Sequence, residues 1–443
     1  MVIHKGTEKR RRKQSLTKAG SSRIAVNVNF SAFRLENGMS VILRKDESVP
    51  VVAVDLCYHV GSKNEKKGKT GFAHLFEHLM FEGSAHVKKG EFDRYISLAG
   101  GYNNAYTTED VTNYYEVLPS NQLPLALWLE SDRMLKFSVS EEALSTQREV
   151  VKEEKRWRVD NRPYGNVSER MQELVFPVGQ YHWPVIGSME DLNAASMSDV
   201  REFYERYYTP DNAVLVISGS FDEREAEKLI RKYFSEIPPS KNGILPVAFE
   251  DAQHDDEIVE ALNGNVPAPA VFVAYKTPAE GSGEYYDLSQ LSKLLSDGNS
   301  SRLYKRLVYD RQAVSEFDVS IEGLEKASVL LFSGFVAPGH SVEEVLSIFD
   351  EEIDKLRNSL ATQYEFDKAR NSTAAAYVGR LSSNSGVADA LAHYHTIFQD
   401  AGIINSEVDR ELAVTRNSIR ESAGRLLERN RRVVLYYHPS VES

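Results

Sequence analysis

From residue 30 onward the apolar positions change period repeatedly, and each change marks an element. Phe33-Arg34-Leu35 and residues 40–44 alternate on either side of Glu36-Asn37-Gly38, whose Asn-Gly step suits a tight hairpin. Residues 51–60 form an apolar run of strand length, predicting a third, buried strand. Helical spacing then takes over. Phe72, Leu75, Phe76, Leu79 and Met80 predict a helix over about 69–81, with Gly83 as its stop. A second helix, 91–98, ends at Gly100-Gly101. Aromatic and β-branched residues over 102–108 and 112–118 predict two strands joined at Glu109-Asp110. Helical patterns follow over 123–135, 140–159, 166–175 and 197–207, then a buried strand at 213–218 and an amphipathic helix at 223–234.

Ile237-Pro238-Pro239-Ser240-Lys241-Asn242-Gly243 has no periodicity and reads as a linker, and the acidic stretch 250–257 follows it. We place the linker at 238–265, between domains at 30–237 and 266–443. The second domain repeats the order of the first. It runs from a strand at 271–275 through a helix at 285–295, a turn at Asp297-Gly298, strands at 315–322 and 329–336, and a helix at 342–360. A long helix through 412–428 and a strand at 432–438 close it. The repeated order is consistent with a duplicated α/β unit.

The chain has 443 residues, enough for two cores, with 42% hydrophobic and 27% charged residues, the balance of a globular protein. No apolar run approaches the roughly 18 residues that span a bilayer, so no membrane is expected as a partner. The single cysteine, Cys57, excludes an intrachain disulfide and reads as a packed core thiol. The net charge is −12, yet residues 1–29 are strongly basic. They read as a disordered basic tail, which leaves the body more acidic still. That balance argues against nucleic acid as a partner and mildly favours cationic peptides. Lacking a hydrophobic segment behind its charges, the tail is not a secretory signal, and the expected compartment is cytoplasmic, an organellar transit peptide being the alternative.

Chemistry concentrates in His74-Leu75-Phe76-Glu77-His78. Histidines four apart project from one helix face, and two neutral imidazoles one turn apart suit tetrahedral zinc. Glu77, beside that face, can take a proton from a water activated by the metal. The order His-x-x-Glu-His reverses the commoner His-Glu-x-x-His. A catalytic zinc needs a third protein ligand. The acidic run Gln147-Arg148-Glu149-Val150-Val151-Lys152-Glu153-Glu154 could supply it, or could be the solvated face of a charged helix. If the 102–108 strand lies at a sheet edge, its unpaired backbone is open to an extended peptide; an ordinary hairpin is the alternative. His393 and His395, two apart, cannot share a helix face and are not expected to bind metal.

These residues resemble the pitrilysin family of inverted zincins, which includes insulysin and the mitochondrial processing peptidase, and most of all its processing-peptidase-like branch. The resemblance runs from about Phe30 to Pro439. It rests on His74 to His78 with the trailing Met80-Phe81-Glu82-Gly83-Ser84, on Gly100-Gly101-Tyr102-Asn103-Asn104-Ala105, on the 148–154 run, and on Ser300-Ser301-Arg302-Leu303-Tyr304. It implies one zinc per chain held by His74, His78 and Glu154, with Glu77 as general base. It further implies that the Asn103-Asn104-Ala105 strand binds substrate by strand addition, and that the fold is α+β: two similar domains from a duplicated unit, each a mixed, mostly antiparallel sheet packed with helices, forming a clam-like half chamber. Two departures stand out. Gln147 replaces the family's supporting glutamate, where its amide could bond a histidine. The second-half positions where active relatives carry an Arg and a Tyr are Val308 and Ser315; Arg302 and Tyr309 share the spacing but not the register. The implied activity is that of a zinc-dependent endopeptidase subunit working as a dimer. The alternatives are the metal-carrying subunit of a heterodimer, whose partner brings the missing pair, and a non-catalytic scaffold of the same fold.

Overall fold

A computed structural model describes residues 26–241, 243–244, 246–250, 252 and 255–440. Most of the expected basic tail lies outside these residues. Its last residues, however, are packed: Val28 is buried and exchanges backbone hydrogen bonds with the Asn405 side chain (2.6 and 3.0 Å).

The first sheet comprises β1 (Ser31–Arg34), β2 (Ser40–Lys45), β3 (Val51–Tyr58), β4 (Tyr102–Thr107), β5 (Thr112–Pro119) and β6 (Ala213–Gly219). Their order is β1-β2-β6-β3-β5-β4. The second comprises β7 (Ile258–Gly264), β8 (Ala270–Thr277), β9 (Val314–Gly323), β10 (Ser328–Val336) and β11 (Arg432–Pro439), in the order β7-β11-β8-β10-β9. Without β1, the two orders correspond strand for strand. Each sheet is antiparallel except for one pair at the same place, β2 with β6 and β7 with β11. Duplication is therefore written in the topology. β7 lies inside the stretch read as linker. It is a half-buried edge strand that follows an acidic segment, so its alternation is weak in the sequence.

Fourteen α-helices accompany the sheets among the described residues. In the first half they are α1 (Phe72–Leu79), α2 (Glu91–Leu98), α3 (Leu123–Leu135), α4 (Glu141–Lys155), α5 (Val167–Val175), α6 (Met189–Ala194), α7 (Met197–Tyr207) and α8 (Glu223–Phe234). In the second they are α9 (Gly283–Ser296), α10 (Val342–Asn358), α11 (Gln363–Arg380), α12 (Asn384–Phe398), α13 (Glu407–Ala413) and α14 (Arg416–Leu426).

Each half lends a helix to the other. Val167, Met171 and Val175 of α5 pack on Phe272, Ala274 and Leu435 of the second sheet. Val387 and Leu391 of α12 pack on Ile42, Cys57 and Val216 of the first. Each fully buried Val or Leu at these seams contributes about 1.5–3 kcal/mol, so the halves are joined by core packing as well as by the chain between them. Neither α11 nor α12 is legible in the hydrophobic pattern of the chain. Buried positions on α12 run almost consecutively from Val387 to Ala392, which erases the helical period. The helix expected through 412–428 is broken. Thr415 starts α14 anew, its hydroxyl accepting from the Ser418 amide while Ser418 Oγ accepts from the Thr415 amide (3.0 Å each).

Candidate metal centre

The histidine helix α1 is fixed at its beginning by buried groups. Gly71 adopts φ +82° and turns the chain, so the helix starts at Phe72 rather than near residue 69. The buried Glu65 carboxyl accepts from the amides of Gly71 and Ala73 (2.8 Å each), satisfying first-turn donors. Gly187 crosses over Gly71 so closely that a Cβ on it would lie 2.4 Å from the Gly71 Cα. Thr70 is tied in turn to Asp191, through amide and hydroxyl (3.0 and 2.6 Å). Phe72, Leu75, Phe76 and Leu79 fill the first core, which leaves His74 and His78 facing α4.

There the three expected ligands meet. The imidazoles of His74 and His78 have centroids 4.9 Å apart and planes at 82°. Glu154 Oε2 lies 3.3 Å from His78 Nε2 and 3.7 Å from His74 Nε2. One donor atom from each residue falls within 4.8 Å of the others, an arrangement found nowhere else among the described residues. Donors around a tetrahedral zinc, at bonds of about 2.0–2.2 Å, stand roughly 3.4 Å apart, so the set fits the ion. The other two glutamates of the acidic run face water. Glu149 and Glu153 have side chains 61% and 69% exposed and pair with Lys152 and Arg156, whereas Glu154 is 16% exposed.

Electrostatics agree with a ligand role. Burial, then the charge of His78, lowers His74 to about 4, keeping it a neutral imidazole. The neighbouring His78 holds the Glu154 carboxyl below its ordinary range, with His74 and Arg158 adding to the effect. Burial raises Glu77, and a 2.7 Å hydrogen bond from Thr107 Oγ1 to its Oε2 opposes the rise. Thr107, the last residue of β4, is a contact the sequence analysis misses, because nothing local links residue 107 to residue 77.

β4 is the edge of its sheet, so Asn103, Asn104 and Ala105 line an open strand leading to Thr107 and Glu77. Asn103 Nδ2 donates to Asp93 of α2, and the Ala105 amide donates to Asn104 Oδ1 (2.9 Å each). Gln147 lies elsewhere than expected. Its amide donates to Glu82 Oε1 (2.7 Å), not to a histidine. Seven residues of helix separate it from Glu154, a rise of about 10 Å, which sets it level with the far end of α1. In the second half, Arg302 is engaged by Glu365 (3.1 Å) and Tyr309 is 79% exposed. His393 pairs with Glu280 (2.9 Å), away from the three ligands. A cavity of about 880 Å³ opens between the halves. Arg158, Tyr164 and Met171 line one side, Ser315 and Phe335 the other, with Glu109 at the seam.

Two duplicated α+β halves, with a histidine-glutamate cluster in the first alone among the described residues, define a peptidase-like fold. Residues 40–186 match the family model described as Insulinase (Peptidase family M16), and residues 194–373 the one described as Peptidase M16 inactive domain. The zinc protease PqqE of Helicobacter pylori is 31% identical over 363 residues, 81% of this chain and 82% of that protein. This chain belongs to peptidase family M16. The crystal structure of a protease from Helicobacter pylori superposes with a TM-score of 0.89 at 29% identity, covering 93% of this chain and all of that one. The periplasmic protease PqqL from Escherichia coli shares the fold at 17% identity and a TM-score of 0.77. The match covers 93% of this chain and 48% of PqqL.

Proposed function

We propose that the chain is a zinc-dependent endopeptidase subunit that cleaves extended peptides. The observation that carries this reading is the convergence of His74, His78 and Glu154 within 4.8 Å, beside a partly buried Glu77 whose carboxylate is held by the edge strand β4. The two imidazoles and Glu154 would hold one zinc, which when bound supplies a Lewis acid and an activated water. Glu77 accepts a proton from the attacking water and delivers it to the leaving amine; burial, by raising its carboxyl, suits it to both steps. The open edge of β4 pairs with the substrate backbone through the Asn103-Asn104-Ala105 segment, which favours unfolded or extended chains over folded ones.

The chain works on this reading with a second copy or a related partner. Two points support it: this chain spans about half the length of PqqL, and Val308 and Ser315 stand where the family resemblance implies an Arg and a Tyr. Glu77→Gln is the decisive variant. It should retain about one zinc per chain and lose cleavage of an unstructured peptide by at least ~10²-fold. Cleavage that survives the substitution, or a wild-type chain that takes up no zinc, would falsify the reading. A chain that cleaves at full rate as a monomer removes the partner.

A further inference from the structure

Past Glu154 the helix does not simply end. It widens into a π-helical turn over Arg156–Asp160, closed by the Asn161 amide donating to the Arg156 carbonyl (2.7 Å). Such turns re-aim side chains and recur at functional sites. Here Arg158, four residues after Glu154, brings its Nη1 to 2.6 Å from Glu154 Oε1. The two carboxylate oxygens therefore have different partners, Oε1 the guanidinium and Oε2 the two imidazoles. Arg158 is 62% exposed on its side chain and lies on the wall of the cavity between the halves, so the core does not hold it.

We propose that Arg158 is a positioning residue for the metal. By occupying Oε1 it fixes the rotation of the Glu154 carboxylate and presents a single oxygen to the site. The inference rests on the zinc reading above. A carboxylate with both oxygens free can swing away from the imidazoles or chelate through both atoms, filling a position that a catalytic site keeps open. An exposed ion pair does little for folding, but the partner that orients a metal ligand typically changes metal affinity 10- to 100-fold. The cation also opposes the charge of the metal. Its exposure screens that repulsion, whereas the hydrogen bond to Oε1 acts at contact.

The test is zinc affinity of the full chain, measured by competition with a chromogenic chelator, for wild type, Arg158→Ala and Arg156→Ala. Arg156 pairs with the exposed Glu153 one turn away and controls for the lost charge. Arg158→Ala should bind zinc ~10- to 100-fold more weakly, and Arg156→Ala like wild type. With cobalt(II) in place of zinc, the visible absorption of Arg158→Ala should weaken as the released carboxylate raises the coordination number, a signature that loss of packing does not produce. Unchanged affinity in Arg158→Ala, equal loss in Arg156→Ala, or a cobalt spectrum identical to wild type overturns the proposal. A wild type that binds no zinc overturns it together with the reading beneath it, whereas the other three outcomes leave that reading standing.

Discussion

Thr107 Oγ1 donates to Glu77 Oε2 over 2.7 Å, so the end of the edge strand holds the carboxylate proposed to move the proton. Burial raises the Glu77 carboxyl and this bond opposes it. Thr107→Val keeps the shape and removes the donor, so the carboxyl rises further and is ionised only at higher pH. The acid limb of kcat/KM for peptide cleavage should therefore move to higher pH, with zinc content unchanged. An acid limb that stays in place would separate Thr107 from the chemistry.

Strand addition makes a prediction with a parity. Residues along an added strand direct their amides alternately toward and away from β4. N-methylation of a peptide at two alternate positions of the pairing parity removes two hydrogen bonds, each of about 1 kcal/mol, and should weaken inhibition by about thirtyfold. Methylation at the other parity should cost little. Equal effects at both parities would mean that the peptide is not held as a strand.

Lys63, almost fully buried, joins the halves. Its ammonium reaches Asp110 Oδ1 (3.0 Å) from the first half and Glu325 Oε2 from the β9–β10 turn of the second. Asp110 also accepts from Tyr181 OH (2.7 Å) and from the Glu325 amide (2.8 Å). Lys63→Met leaves the buried Asp110 carboxylate without its cation, while Glu325 keeps Lys326 and His59 as partners (2.7 Å each). Removing one partner of such a group costs about 3–5 kcal/mol, which urea unfolding should register. A variant that unfolds at the wild-type midpoint would make the cluster incidental.

What the chain discloses before folding depends on how local each feature is. His74, Glu77 and His78 lie within one helical turn, so their common face follows from spacing alone. Glu154 shares an acidic run with Glu149 and Glu153, and spacing does not choose among them; the packing of α4 on α1 does, by turning only Glu154 inward. Gln147 sits on the same face of α4, yet helical rise carries it past the histidines to Glu82. Arg158 left a readable trace, four residues after Glu154. Thr107 left none, because β4 and α1 meet only in the folded sheet. The same distinction governs the elements. The Asn37-Gly38 hairpin and the buried strand β3 are local, whereas α12 is covered by both halves and loses the polar stripe that marks a surface helix.

Glu109, at the seam lining the cavity, gives stability a pH dependence of definite sign. Burial pushes its carboxyl up to about 7 from an ordinary 4.5, with Asp110 and Glu322 adding to the rise. The folded chain thus holds this proton more tightly than the unfolded chain. The stability it contributes is fully present below about 4.5 and is lost as pH rises through about 7. Glu407, also pushed by burial to about 7, acts in the same direction. Glu109→Gln mimics the protonated state at every pH. It should match wild type near pH 4 and exceed it near pH 8 by at most about 3 kcal/mol, with a flatter profile between. Urea midpoints across that range decide the matter: a variant whose profile runs parallel to wild type would show that the Glu109 carboxylate is already ionised in the folded chain at pH 5.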